Sequence, residues 1–250
     1  MTPATVAAAW VLQGGGPGPV IPHFGASSCS RDQFLCWSWV QGNWGGTLGP
    51  ALVQHIYIAA IAVGCGLVIS LAAALMAYRL KWFEGGFTAF STFLYTIPSL
   101  AFFQLFVPVT GLGLTTIELG LTGYTFLLLF RNALTGLQSV PPEAIRVATG
   151  MGMTPRQVLL RVNLPLAIPS IMAGVRISAV TVISLATIAG DVAPLGLGQP
   201  IFYGIATSFT TEMVAAGVLA ILLALAADVL LVTLQRAITP WIRARTRGAR

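Results

Sequence analysis

Between Val140 and Pro165 the chain reads VPPEAIRVATGMGMTPRQVLLRVNLP, a polar, arginine-bearing stretch set between long apolar runs. Pro141 and Pro142 suit the first turn of a helix, where a missing N–H costs little, and Gly150 and Gly152 suit its end. Thr154 and Gln157 have the spacing of a capping box, with Pro155 at the favoured first helical position, so a second short helix is predicted to start at once. Leu164-Pro165 is predicted to close the segment before the next apolar run. A loop built this way is a folded surface presented to something, and its arginines put it in the cytoplasm.

Outward from this loop the chain is poor in charge: 56% of it is apolar and 8% charged, against roughly 25% charged in soluble domains. The expected fold is an all-α integral membrane protein. Runs that meet the requirement of about 20 residues per span fall near 56–78, 87–109, 117–135, 167–190 and 213–235, about five spans in all. The third is rich in Gly and Thr and carries Glu118 near one end. Arg79 and Lys81 follow the first span, Arg131, Arg146, Arg156, Arg161 and Arg176 surround the loop, and Arg236 opens a basic tail that runs to Arg250. Only Arg31 falls on the other side, so the positive-inside rule sets the N-terminus outside and the C-terminus inside. That topology accounts for the net charge of +6 and leaves no reason to invoke nucleic acid; the tail WIRARTRGAR is expected to rest against anionic headgroups. The domains expected are an extracytoplasmic tail over 1–50, a transmembrane domain over 51–238 containing the loop 140–165, and a cytoplasmic tail over 239–250.

Ala148, Gly152, Val162, Leu164 and Pro165 match the A, G, I, L and P of the pattern EAA-x3-G-x9-I-x-LP. In this the chain resembles the permease subunits of binding-protein-dependent type I ABC importers. Arg146 and Val147 stand where Glu and Ala are usual, with a carboxylate slightly upstream at Glu143. The likeness runs from about His55 to Gln235, and TIPSLAFF, RNALTGL, GMGMT, LPLAIPSIMAGVR and LGLGQPIFYGI resemble the osmoprotectant branch, which imports glycine betaine, carnitine and choline. The resemblance implies a MetI-like permease architecture in a bacterial cytoplasmic membrane. It also implies a second permease (the same chain or a paralogue), cytoplasmic ATPases that hold the ATP and Mg, and an extracytoplasmic solute-binding protein. ATPase coupling is then expected from Glu143, Arg146, Ala148, Gly152, Met153, Arg156, Val162, Leu164 and Pro165. The Gly- and Pro-rich segment DVAPLGLGQPIFYGI becomes an outer gate, with Asp191, Gly196, Gly198, Phe202 and Tyr203 along the substrate path. Phe202 and Tyr203 are either cation-π partners for a quaternary ammonium or interfacial anchors, and Asp191 either attracts a cation or faces water.

Catalysis is not expected. The only lysine, Lys81, follows Leu80, so no P-loop exists; His23 and His55 stand apart without a metal-ligand cluster; and seven acidic residues are scattered over the whole chain. No cofactor is therefore assigned to this chain. Asp228 inside the fifth span has three readings, a proton relay, a counter-charge for substrate, or a partner for Arg176, and a structural pair is favoured. Pro98 is expected to kink or break the second span beside the pathway. Cys29 and Cys36 are either a small disulfide loop or two free thiols, Cys65 a small core residue, and Trp37, Trp39 and Trp44 interfacial anchors. The rival functions are a permease for another small solute such as an amino acid or oxyanion, an ion-coupled carrier using Asp228 and Glu118, and a non-transporting scaffold.

Overall fold

The computed structural model describes residues 29–30 and 33–240, so His23, Arg31 and residues 241–250 of the basic tail lie outside the described residues. Everything regular in them is helical: α1 (Trp37–Asn43), α2 (Gly49–Arg79), α3 (Lys81–Thr96), α4 (Ser99–Thr110), α5 (Leu114–Gln138), α6 (Pro142–Gly150), α7 (Pro155–Val158), α8 (Leu164–Ala189), α9 (Gly198–Ala206) and α10 (Thr210–Ile238). Wide π-helical turns at Trp44–Leu48 and Leu159–Asn163 join α1 to α2 and α7 to α8 without a break. Each lies just ahead of a proline, Pro50 or Pro165. A proline removes one N–H and crowds the carbonyl four residues back, and a wider turn moves that carbonyl aside, so the helix continues.

One prediction is corrected here. Leu164-Pro165 does not close the loop, because the helix runs unbroken from Pro155 to Ala189. Helix α1 begins at Trp37, inside the stretch assigned to the N-terminal tail. The span placed at 87–109 is broken where Pro98 led us to expect it: α3 and α4 meet at 99° across Ile97 and Pro98. Ile97 is extended (φ −67°, ψ 131°), as expected for a residue whose neighbour is proline.

Among the described residues, the helices long and apolar enough to cross a membrane are Trp37–Arg79, Pro155–Ala189 and Thr210–Ile238, with a fourth if the bent α3–α4 pair counts as one. Helix α5 has the length for a span, about 37 Å at 1.5 Å per residue, but less apolarity. It packs against α2, α3, α4 and α8. A helix with protein on most sides needs small residues more than oily ones. Gly66 of α2 lies so close to it that an added Cβ would stand 1.8 Å from Thr125 Oγ1, and a Cβ on Gly174 of α8 would stand 2.7 Å from Asn132. Two core clusters stack along α5. One joins Ile58, Phe103, Ile117, Leu121, Val182 and Val192, and the other joins Ala74, Phe130, Leu137 and Ala167. Outward-facing apolar side chains such as Val218, Ile221, Leu222, Leu225 and Val229 form a continuous stripe on α10, as a lipid-facing helix requires. Cys65 belongs to the exposed surface and not to the core.

Candidate functional site

The loop folds as its caps dictate. Helix α6 opens at Pro142 and carries an exposed ion pair one turn long, Arg146 Nη2 to Glu143 Oε1 at 3.0 Å. The arginine that replaces the usual Glu is thus paired within its own helix. At the helix end Met151, Gly152 and Met153 donate to the carbonyls of Val147, Thr149 and Ala148. Gly152 has φ +81°, and a Cβ there would meet nothing within 4 Å of this chain, so backbone conformation alone demands the glycine. The capping box is formed: Gln157 N–H donates to Thr154 Oγ1 at 3.4 Å, and Thr154 N–H to Gln157 Oε1 at 2.8 Å.

Around this turn Val147 (62% exposed) and Met151 (68% exposed) stand on one side of α6 with Arg146, while Arg156 and Arg161 are exposed beyond it. Ala148 is buried, and Met153, Val162, Leu164 and Pro165 are half-buried. A hollow of about 690 Å³ separates the loop from the end of α2, lined by Tyr78, Arg79, Ile145, Met153, Arg156 and Asn163 among others. Asn163 bridges it, donating to the Tyr78 hydroxyl at 3.0 Å.

At the far end of α8 the chain turns through residues 190–197 into α9. Gly190 and Gly198 touch backbone to backbone; a Cβ on Gly190 would sit 2.4 Å from the Gly198 carbonyl carbon. Gly196 has φ +57° and lies against His55. His55 is fully buried: Nε2 lies 3.1 Å from the Ile183 carbonyl, and Nδ1 lies 3.1 Å from the Leu197 N–H. Gln54 Oε1 accepts from Gly196 N–H at 2.9 Å. Helix α4, which starts just after Pro98, reaches the same region, since Phe103 shares a cluster with Val192 and Ala193. Asp191 is exposed, Tyr203 is half exposed and Phe202 is half-buried. The clasp by Gln54 and His55 was not foreseen. A histidine in an apolar run with no metal partner is itself the signal, since intramembrane polar side chains mostly bond between helices.

Beside this corner the segment before α1 is fastened to the start of α10. Cys29 and Cys36 are joined by a disulfide with their Cα atoms 5.8 Å apart. Cys36 N–H donates to Thr211 Oγ1, which donates to the Gln33 carbonyl. Trp39 is buried edge-on against Phe209, with centroids 5.2 Å apart, and so packs inside the protein; Trp37 and Trp44 are exposed. Arg176 of α8 binds Asp228 of α10 through two bonds, Nε to Oδ1 at 2.9 Å and Nη2 to Oδ2 at 3.1 Å. Asp228 is therefore committed to a bidentate pair, the structural arrangement favoured from sequence.

Residues 66–244 match the model of the family described as "Binding-protein-dependent transport system inner membrane component". The chain belongs to this family. Its polypeptide is 33% identical over 196 residues to the glycine betaine/carnitine/choline transport system permease protein OpuCB of Bacillus subtilis, a match covering 78% of this chain and 90% of that protein. The osmoprotectant import permease protein OsmW of Salmonella typhimurium is 34% identical over 200 residues, covering 78% and 93%. The ergothioneine transport permease/ergothioneine binding protein EgtU of Helicobacter pylori is 43% identical over 136 residues, which span 54% of this chain and 25% of that longer protein. Among solved structures, the inward-facing MetNI methionine ABC transporter matches with a TM-score of 0.68 at 23% identity, over 81% of this chain and 97% of the other, a likeness of fold. The chain is thus a multi-pass permease subunit of a binding-protein-dependent transport system, and its long helices are that family's membrane scaffold.

Proposed function

We propose that this permease subunit forms half of a translocation path for a small compatible solute, of the glycine betaine, carnitine or choline type, in a bacterial cytoplasmic membrane. Five spans with the N-terminus outside make the half-path, which a second copy or a paralogue completes. A cytoplasmic ATPase that carries ATP and Mg docks on α6 and α7, against Val147, Met151, Gly152 and Arg156. An extracytoplasmic binding protein delivers solute to the gate around Asp191, Gly196, Gly198, Phe202 and Tyr203. Closure of the ATPases tilts the loop, and the gate answers. The observation that carries this reading is the continuous helix from Pro155 to Ala189. Its length of about 52 Å runs from the cap at Thr154 to the glycine contact at Gly190, and this continuity supports a link between loop and gate. The close kinship with osmoprotectant permeases supports the solute class.

The test is a mild-detergent pull-down of the chain from its native membrane, followed by uptake of radiolabelled glycine betaine into proteoliposomes holding the recovered assembly. A P-loop ATPase is expected to co-purify, and uptake to require ATP and the binding protein. Recovery of the chain alone, or uptake driven by an ion gradient without ATP, overturns the proposal.

A further inference from the structure

We propose that His55 is a positioning residue of the outer gate, clasping residues 190–197 to α2 and α8 so that the three move as one body. This rests on the gate reading above. The ring is fully buried in α2, one turn from Ile58 in the cluster that includes Val182 and Ile183 of α8. A carbonyl can only accept, so the contact at Ile183 fixes the proton on Nε2. Nδ1 then carries the lone pair that takes the Leu197 N–H. One neutral tautomer therefore satisfies both sides. Gln54 adds a second bond from the next residue to Gly196. There is no slack between ring and loop, since a Cβ on Gly196 would stand 2.8 Å from Nδ1. Below the ring the Gly190–Gly198 contact locks the end of α8 to the start of α9. If the loop slid along α2, the Leu197 and Gly196 N–H groups would lose Nδ1 of His55 and Oε1 of Gln54 and be left without partners among apolar side chains, a state that buried polar groups avoid. The joint that opens the gate accordingly lies outside residues 190–197.

The experiment uses the whole importer in lipid nanodiscs, with His55→Ala and His55→Asn beside the parent. The Asn amide oxygen can take the place of Nδ1. Hydrogen–deuterium exchange of the 190–197 peptide reads the clasp directly. Loss of the buried acceptor in His55→Ala is expected to raise that exchange about tenfold or more, and His55→Asn to recover most of the protection. Exchange unchanged in His55→Ala, or raised equally by both variants, overturns the clasp. A Pro194→Cys reporter in a Cys65→Ser background, labelled with a membrane-impermeant maleimide, reads the gate itself. The parent should label at different rates when nucleotide-free and when vanadate-trapped, and in His55→Ala the two rates should converge. A parent with equal rates removes the gate reading while leaving the exchange result to stand for the clasp. A His55→Ala variant that keeps the parent's difference makes His55 merely structural.

Discussion

Replacing Gly152 separates two reasons for a glycine in the docking loop. Its φ of +81° is open to glycine and tolerated by Asn, but strained for a β-branched residue. No atom of this chain lies within 4 Å of the site a Cβ would occupy, so the substitution meets no steric clash within the subunit. The whole cost of Gly152→Val is therefore conformational, about 1–2 kcal/mol at one residue. The turn answers by leaving its bonds to Val147, Thr149 and Ala148, and α6 loses its fixed angle to α7. At about 1.4 kcal/mol per factor of ten, docking of the ATPase should weaken roughly 5- to 30-fold. The assay is a titration of the purified ATPase against the chain in nanodiscs, read by fluorescence anisotropy, with Gly152→Asn and Gly150→Ala as companions. Gly152→Asn should bind within about threefold of the parent, because Asn accepts the left-handed region readily. Gly150→Ala, in helical conformation with open space around it, should bind like the parent. If Gly152→Asn fails as badly as Gly152→Val, conformation is not the reason. The partner's own backbone then needs the missing side chain, and the argument from φ is refuted.

Other perturbations test the scaffold. Arg176→Met strands a half-exposed carboxylate and should lower stability by about 1–3 kcal/mol, less than for a fully buried pair, while Arg176→Leu with Asp228→Leu should recover most of it in thermal melts of the detergent-solubilised chain. Gly66→Ala drives a methyl to 1.8 Å from Thr125 Oγ1 and should cost about 2 kcal/mol or more; adding Thr125→Ala, which leaves a contact of 2.9 Å, should restore part of it. Mild reduction of Cys29–Cys36 should destabilise the chain by about 2–3 kcal/mol, since a loop of seven residues carries that much closure entropy, and a Cys29→Ser, Cys36→Ser variant should be insensitive to reductant. Trp39→Ala should cost about 3 kcal/mol by emptying the contact with Phe209; an unchanged melting temperature would mean that the contact contributes nothing.

What the sequence made legible was what local chemistry determines. The capping box at Thr154, the left-handed glycine at 152 and the break at Pro98 each depend on a few adjacent residues, and each forms as expected. What it hid depends on partners far along the chain. Trp39 looks like an interfacial anchor until Phe209, 170 positions on, covers it. Cys65 looks like a core residue until the packing of α2 leaves it outside. His55 stands out as a polar residue in an apolar run, but its partners, Leu197 and Ile183, are known only when the fold brings them to either side of the ring. Helix α5 misleads in the opposite sense. Its glycines, threonines and Asn132 weaken the hydropathy signal because its neighbours are protein on most sides, so the least apolar of the long helices is the one around which the others pack.

The error at Leu164-Pro165 is the most consequential, because it concerns how force travels. A break there would make the docking loop a hinged flap, whose movements dissipate before they reach the membrane. The π-helical turn at Leu159–Asn163 lets the helix pass Pro165 without a break, so the loop joins the long helix through helical backbone. What remains is a lever with both ends anchored in backbone. A capping box fixes its start, and at its finish Gly190 lies against Gly198 with Ile183 bonded to His55 about two turns earlier. Between those ends Gly174 and Ser170 lie against Asn132 of α5, so the lever has a fulcrum as well as a length. A displacement of the loop is passed along this continuous element, in which Pro169 is the interior position where a bend would fall. In the proposed cycle it appears as rotation about α5, where Gly174 and Ser170 meet Asn132, and it carries residues 190–197 with it.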